Sequence, residues 1–104
     1  MVETWSVQQE YTVQQTNVTV KGAPGSGYAL RITSVYIHVA AAVTVTLNEG
    51  TSPMKFNFYG QAAGDGVSAG GIQVKLAVNT SLTITTSNGT TVTLVVSGYT
   101  ERVG

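Results

Sequence analysis

Residue types that support catalysis are scarce in this sequence and are not grouped. His38 is the only histidine, and no acidic residue lies near it in the chain. A histidine that acts as a general base needs an orienting carboxylate and a nucleophile within hydrogen-bond reach. We therefore expect His38 to face solvent or an interface, and we expect the protein not to be an enzyme.

Metal and phosphate sites are not indicated either. Asp65 lies between Gly64 and Gly66, but the repeated Asp or Asn spacing of a calcium loop is missing. The absence of cysteine excludes thiolate metal sites and disulfides. The glycine-rich stretch at 60–71 is not followed by Gly-Lys-Ser or Gly-Lys-Thr, so it does not match a phosphate-binding loop. We expect no cofactor and no metal.

Charged residues are few and balanced. Five basic and five acidic residues make up 10% of the chain, where about 25% is typical, and the formal net charge is zero. Because Lys and Arg do not cluster, we expect no nucleic-acid partner. A neutral surface does little to repel copies of itself, which favours a protein that is buried in an assembly over a soluble monomer.

The sequence also predicts where the protein is made. The N-terminal Met-Val-Glu-Thr-Trp-Ser has neither the basic region nor the apolar region of a signal peptide. No apolar run is long enough to cross a membrane. We expect synthesis in the cytoplasm and no membrane partner.

The elements that would position these side chains are predicted to be strands. Sixteen Val and sixteen Thr stand against five Leu and four Ile, and β-branched side chains fit a pleated sheet better than a helix. The length of 104 residues suits one domain. Period-two alternation predicts about eight strands, hence an all-β, single-domain antiparallel β-sandwich over residues 1–104. The expected strand order is jelly-roll-like, with an immunoglobulin-like order as the alternative.

Alternation divides the side chains between a core face and an outer face. A long first strand has an apolar phase at Trp5, Val7, Tyr11 and Val13, and a phase change at Ser34 predicts a β-bulge in the third strand. Two hairpins are predicted, one joining 43–47 to 54–59 through a turn at 48–53 and one turning at the Asn-Gly pair 88–89. The stretch at 60–71 is predicted to be a surface loop.

The C-terminal third carries a more specific pattern. It consists of Gly71-Ile72, Ser81-Leu82-Thr83-Ile84-Thr85 and Val92-Thr93-Leu94-Val95-Val96-Ser97-Gly98-Tyr99-Thr100-Glu101. These paired Thr/Val strands with a Gly-Tyr-x-Glu-like tail resemble small β-rich structural proteins encoded beside the capsid genes of tailed bacteriophages. The resemblance implies a homotrimeric virion protein, either a capsid decoration (cement) protein or a fibre head. A decoration protein binds the major capsid protein on the outer capsid surface and stabilises the head.

Five residues are candidates for an interface in such an assembly. Tyr36 and Tyr59 fall on the polar phase of their strands, and Tyr is enriched in interfaces. Residues 5–15, with Trp5 and Tyr11, would form an arm that is exchanged between neighbours or added to a partner's sheet edge. The same alternation favours the core for Trp5, which is in phase with aliphatic neighbours. His38 completes the set.

A function from a different class fits the same aromatic residues. In a carbohydrate- or receptor-binding module at the tip of a phage fibre, Tyr36, Tyr59 and the stretch at 60–71 would form a sugar-binding platform. A host adhesin or pilus-like subunit is disfavoured, because the sequence shows no signal peptide.

Overall fold

A computed structural model describes residues 3–50 and 54–103, which form eight β-strands. The prediction of an all-β protein with about eight strands is confirmed. None of the described segments is a helix that is long and apolar enough to cross a membrane. The strands are β1 (Glu3–Tyr11), β2 (Val18–Lys21), β3 (Tyr28–Val39), β4 (Val43–Glu49), β5 (Met54–Gly60), β6 (Gly66–Lys75), β7 (Leu82–Thr86) and β8 (Val92–Arg102).

The strands form two four-stranded antiparallel sheets. The first sheet has the order β1-β8-β3-β6, and the second sheet has the order β2-β7-β4-β5. The chain therefore passes to the other sheet at every connection except the one between β4 and β5. Eight strands wound alternately through two sheets form a jelly roll. This order answers the question that the sequence left open between a jelly roll and an immunoglobulin-like sandwich.

The core lies between the two sheets, where every second residue of a strand points inward. Ile37 of β3 and Leu94 of β8 are fully buried on the first sheet, as are Leu47 of β4 and Ile84 of β7 on the second. The buried apolar side chains of both sheets form one cluster. Their removal from water is the main force that holds the sheets together, because burial stabilises by about 25 cal/mol per Å² of apolar surface.

The predicted β-bulge in β3 is confirmed. The pairing register of β3 shifts between Ile32 and Ser34 against both of its neighbours, β8 and β6. Ile32 is buried before the shift and Val35 after it, so the extra residue reverses the alternation. Strand β3 stays in the first sheet on both sides of the bulge.

The first predicted hairpin is also confirmed, because β4 pairs with β5 from Val43 opposite Gly60 to Asn48 opposite Met54. Residues 51–53 of its predicted turn lie outside the described residues.

The second predicted hairpin is wrong. Asn88 and Gly89 connect β7 to β8, but these strands lie in different sheets and do not pair. Neither residue has the positive φ of a type I′ turn. Instead, the Asn88 side chain donates from Nδ2 to the carbonyl of Ala42 (2.9 Å) and accepts from the backbone N–H of Thr90 (2.9 Å). The Asn88 side chain therefore stabilises the connection between β7 in the second sheet and β8 in the first sheet.

The loop predicted at 60–71 is mostly a strand, since β6 begins at Gly66. Val67 and Ala69 are half-buried and alternate with exposed Gly66, Ser68 and Gly70, so the glycines occupy the outer face of an edge strand. The high glycine content of this stretch made the strand alternation hard to recognise in the sequence.

The core position predicted for Val13 is also wrong. Strand β1 ends at Tyr11, and Val13 is 64% exposed beyond it. The alternation seen in the sequence continues past the last paired residue, so it does not mark the end of the strand.

Candidate interaction surface

Two of the five predicted interface residues lie in the protein's own core. Strand β1 pairs with β8 over nine consecutive residues, and its inner face places Trp5 (9% exposed) and Tyr11 (8% exposed) against the other core side chains. Burial raises the pKa of the Tyr11 hydroxyl. Both rings are buried within this chain, and their place in an interface between copies stays a prediction.

The other three residues are exposed but do not share a surface. Tyr36 (42% exposed) and His38 point outward from β3 on the first sheet, about 7 Å apart along the strand. Tyr59 (68% exposed) points outward from β5 on the second sheet. The outer faces of a sandwich point in opposite directions, so Tyr36 and Tyr59 cannot contact the same small ligand.

The outer face of the first sheet around Tyr36 carries few charges. Cross-strand register puts Tyr36 between Val95 of β8 and Ser68 of β6, with Gln8 beyond Val95. The cross-strand row on one side of Tyr36 consists of Ser6, Ser97, Ser34 and Gly70. The row on the other side contains Thr93 and His38. We call this surface the platform and define it by Ser6, Gln8, Ser34, Tyr36, His38, Ser68, Gly70, Thr93, Val95 and Ser97.

The platform has one raised aromatic ring among short side chains. Its rows contain a single charged residue, Glu10, which lies at the β1 edge opposite Thr93. A surface with so few charges costs less to desolvate than a charged one. Sequence alternation could find the outward positions of Tyr36 and His38. It could not find their neighbours on β1, β6 and β8, because those depend on strand order.

Charged side chains gather at one end of the same sheet. Arg31 donates to Oε1 of Glu101 from Nη2 (2.8 Å) and Nε (3.3 Å), and Nζ of Lys75 lies 3.8 Å from the same oxygen. Arg31 also donates to Oε1 of Gln73 (3.3 Å), and its guanidinium carbon lies 5.9 Å from the centroid of the Tyr99 ring. These charged residues are far apart in the sequence, which therefore shows no charge cluster. The register of β3, β6 and β8 brings them together.

We expect this cluster to make the stability of the fold depend on pH. The hydrogen bond from Arg31 is the main cause that lowers the pKa of Glu101, and the charges of Arg31 and Lys75 add to it while desolvation opposes it. A carboxylate with a lowered pKa contributes stability above its unfolded pKa and loses that contribution as the pH falls through its folded pKa.

We expect Glu101→Gln to be less stable than the wild-type protein at pH 7, and the difference to shrink as the pH falls below the ordinary Glu pKa of about 4.3 and to vanish below the lowered pKa of folded Glu101. Urea denaturation of both proteins at stepped pH values measures this difference. The control is Glu10→Gln, which removes an exposed carboxylate from the same face and is expected to show no such trend. A gap between Glu101→Gln and wild type that persists unchanged in acid would contradict the assignment.

Several polar groups on the outer face of the second sheet are hydrogen-bonded to one another. Thr46 donates from Oγ1 to Oδ1 of Asn57 (2.7 Å), and Oγ1 of Thr85 accepts from the backbone N–H of Asn17 (3.0 Å) and donates to its Oδ1 (3.3 Å). On the platform, the hydroxyls of Ser6 and Ser97 are likewise paired, with their oxygens 3.1 Å apart.

The residues that were considered for catalysis or metal binding either form structural hydrogen bonds or lie far from other such residues. Oδ2 of Asp65 accepts the backbone N–H groups of Gln61 (2.8 Å) and Ala62 (3.1 Å), so this carboxylate shapes the turn before β6. Within residues 3–50 and 54–103, no three His, Asp or Glu side chains come together. His38 has no hydrogen bond or ion pair to a carboxylate in that part of the chain.

Comparison with known proteins gives relatives in structure but not in sequence. No family model matches the chain, and no curated protein matches its sequence. A chain from Bacillus endospore appendages, described as disulfide-linked pili, aligns with a TM-score of 0.57 and 16% identity over 100% of this chain and 90% of that one. A chain from the capsid asymmetric unit of cyanophage Pam1 aligns with a TM-score of 0.53 and 16% identity over 94% of this chain and 84% of that one.

The shared feature is the fold. A carbohydrate-binding module from a Cellvibrio mixtus lichenase, in complex with cellotriose, aligns with a TM-score of only 0.46 and 15% identity, over 94% of this chain and 98% of that one. At 16% identity, the likenesses to the pilus chain and the capsid chain show a common fold and nothing finer. Membership of a phage protein family stays a prediction.

Proposed function

We propose that this protein is a structural component of a bacteriophage virion, and specifically a capsid decoration (cement) protein. It binds as a homotrimer to the major capsid protein on the outer surface of the head and stabilises the shell. Its role requires no catalysis and no cofactor. The platform is the face that contacts the capsid.

The observation that carries this proposal is the platform itself. Most outer faces of soluble proteins carry several charged side chains, whereas the rows around Tyr36 carry Ser, Gly, Thr, Val, Gln and His38, with Glu10 at the β1 edge as their single charged residue. The core of a protein interface is depleted in charge and enriched in Tyr. One exposed Tyr at the centre of short side chains has the arrangement of a binding hot spot surrounded by residues that exclude water.

The fold comparison supports the proposal of a role in a phage capsid. The matched chain of the cyanophage capsid is only slightly longer than this protein, so a jelly roll of this size does occur in a phage capsid. The low charge of the whole chain supports a protein that works inside an assembly. The sequence resemblance of the C-terminal third points the same way.

We expect Tyr36→Ala to weaken binding to empty heads by about 30-fold, which corresponds to about 2 kcal/mol for a hot-spot residue. The heads are assembled from the major capsid protein of the phage that encodes this chain, and binding is measured by co-sedimentation over a range of concentrations. Tyr36 is exposed, so the variant is expected to fold normally.

The matched control is Tyr59→Ala, which removes the same exposed side chain from the opposite face of the sandwich. It is expected to change the affinity less than about threefold. Equal losses in the two variants would reject the platform as the contact face. Failure of the wild-type protein to bind heads would reject the decoration function.

The alternative function is a carbohydrate- or receptor-binding module at a fibre tip. It is favoured by one observation, that the exposed ring of Tyr36 lies in a row with Ser68 and Gln8, whose side chains can hydrogen-bond hydroxyl groups. The predicted platform of Tyr36 with Tyr59 is ruled out by their opposite faces, so such a site would use Tyr36 alone. A glycan array separates the functions, because a decoration protein is expected to give no signal there.

A further inference from the structure

Asn88 and Gly89 have a reactivity that their place between β7 and β8 does not require. Asn88 is the only one of the five asparagines that is followed by a glycine. The backbone nitrogen after an asparagine can attack the side-chain carboxamide and close a five-membered imide ring, which is one reason why asparagine is a labile residue. Glycine hinders this attack least, because it has no Cβ and the widest choice of backbone angles.

The pair lies in an exposed bend outside the strands. Residues 87–89 are exposed and lie between the end of β7 at Thr86 and the start of β8 at Val92. In the part of the chain that the structure describes, the Gly89 N–H donates no hydrogen bond. The attacking nitrogen is therefore not held by a strand pairing, and water has access to the site.

Two hydrogen bonds are directed at the oxygens on which negative charge develops. Loss of the Gly89 proton places charge on the peptide nitrogen and, by resonance, on the carbonyl oxygen of Asn88. That oxygen accepts from Oγ1 of Thr86 (3.2 Å). Attack then places charge on Oδ1 of Asn88, which accepts from the backbone N–H of Thr90 (2.9 Å). Donors at such positions lower the barrier to a reaction that forms an oxyanion.

The fold holds the Thr86 hydroxyl in place. Thr86 is buried (1% exposed), and its Oγ1 accepts from the backbone N–H of Gln15 (2.9 Å). A hydroxyl that already accepts a hydrogen bond is a better donor, because the two bonds polarise each other. The segment between β1 and β2 therefore orients the donor that binds the carbonyl oxygen of the peptide bond between Asn88 and Gly89.

We propose that Asn88 is a site of spontaneous deamidation and that the fold promotes the reaction. The backbone nitrogen of Gly89 bonds to Cγ of Asn88 and gives up its proton. The bond from Cγ to Nδ2 breaks, and Nδ2 leaves as ammonia with that proton. Water then opens the imide and leaves aspartate or isoaspartate at position 88. The product lacks the hydrogen bond from Nδ2 to the carbonyl of Ala42, which links this connection to the one between β3 and β4.

The test is the conversion of Asn88 in the purified full chain, incubated in mildly alkaline buffer and followed by peptide mapping with mass spectrometry. We expect Asn88 to convert before the other four asparagines, and at least as fast as in the same chain unfolded in guanidinium chloride. Gly89→Ala is expected to slow the conversion by about tenfold or more, because its Cβ hinders the attack. That Cβ meets no atom closer than 3.8 Å, so the variant is expected to fold normally.

Thr86 variants test whether the fold promotes the reaction. Thr86→Val removes the hydroxyl and is expected to slow the conversion by about threefold or more, whereas Thr86→Ser keeps the hydroxyl and is expected to convert within about twofold of wild type. Slower conversion in the folded than in the unfolded wild-type chain, or equal rates in the two Thr86 variants, would overturn the proposal. If Thr86→Val does not fold, the comparison of folded with unfolded wild type decides. The test needs no capsid, so its outcome is separate from that of the decoration function.

Discussion

Replacing Gly98 by alanine is expected to lower the free energy of unfolding by about 3 kcal/mol, at the upper end of the range for an overpacked core. Gly98 lies on β8, between β1 and β3. A Cβ there would overlap the carbonyl oxygen of Arg31 and lie 2.9 Å from Cζ2 of Trp5. The Arg31 carbonyl belongs to a paired strand next to the bulge, so it cannot withdraw without disturbing the sheet.

The matched control is Gly70→Ala, which adds the same methyl group to another strand of the first sheet. No atom lies within 4 Å of a Cβ at Gly70, so we expect its free energy of unfolding to stay within about 0.5 kcal/mol of wild type. Urea denaturation followed by the fluorescence of Trp5, the only tryptophan, measures both variants. A Gly98→Ala protein as stable as Gly70→Ala would show that β8 does not pass so close to Arg31.

Local patterns in the sequence predicted most of the strands because they depend on neighbours in the chain. The phase change at Ser34 is visible from alternation alone, and the structure has a bulge there. Among the described strands, β4 and β5 are the only consecutive strands that lie in the same sheet. The sequence also predicted their pairing. Features of this kind follow from the period of two and from turn chemistry.

The errors arise where tertiary structure overrides a local signal. Asn88-Gly89 is a strong hairpin signal, but β8 pairs with β1 and β3 and leaves β7 in the other sheet. The buried side chains of β7 and β8 contribute to the same core from opposite sheets. In the same way, β6 forms despite its glycines because β3 supplies a partner edge.

The candidate surface was only partly visible in the sequence. The outward direction of Tyr36 follows from buried Val35 and Ile37 on either side of it. The serines beside Tyr36 and the cluster around Glu101 come from strands far apart in the chain, and only the order β1-β8-β3-β6 brings them together. Trp5 illustrates the opposite case, since alternation assigned it to the apolar face and the idea of an exchanged arm assigned it to an interface.

Trp5→Ala decides between those two assignments and has the largest expected effect on stability. The ring packs in the core cluster beside Gly98, and Nζ of Lys21 lies 5.8 Å from its centroid. Removing a buried aromatic side chain costs about 3–5 kcal/mol, because the lost burial is joined by a cavity that neighbours cannot fill. We expect that loss in the free energy of unfolding, measured by urea denaturation and circular dichroism, since the variant has no tryptophan.

A companion variant tests how the indole sits. Nε1 of Trp5 is buried and has no hydrogen-bond partner among residues 3–50 and 54–103. Trp5→Phe keeps most of the packing and removes this unpaired donor, whose burial opposes folding. It is therefore expected to cost less than half as much as Trp5→Ala. If Trp5→Ala kept the stability of wild type and only weakened self-association, Trp5 would belong to an interface, and the assignment of β1 to this chain's own core would be wrong.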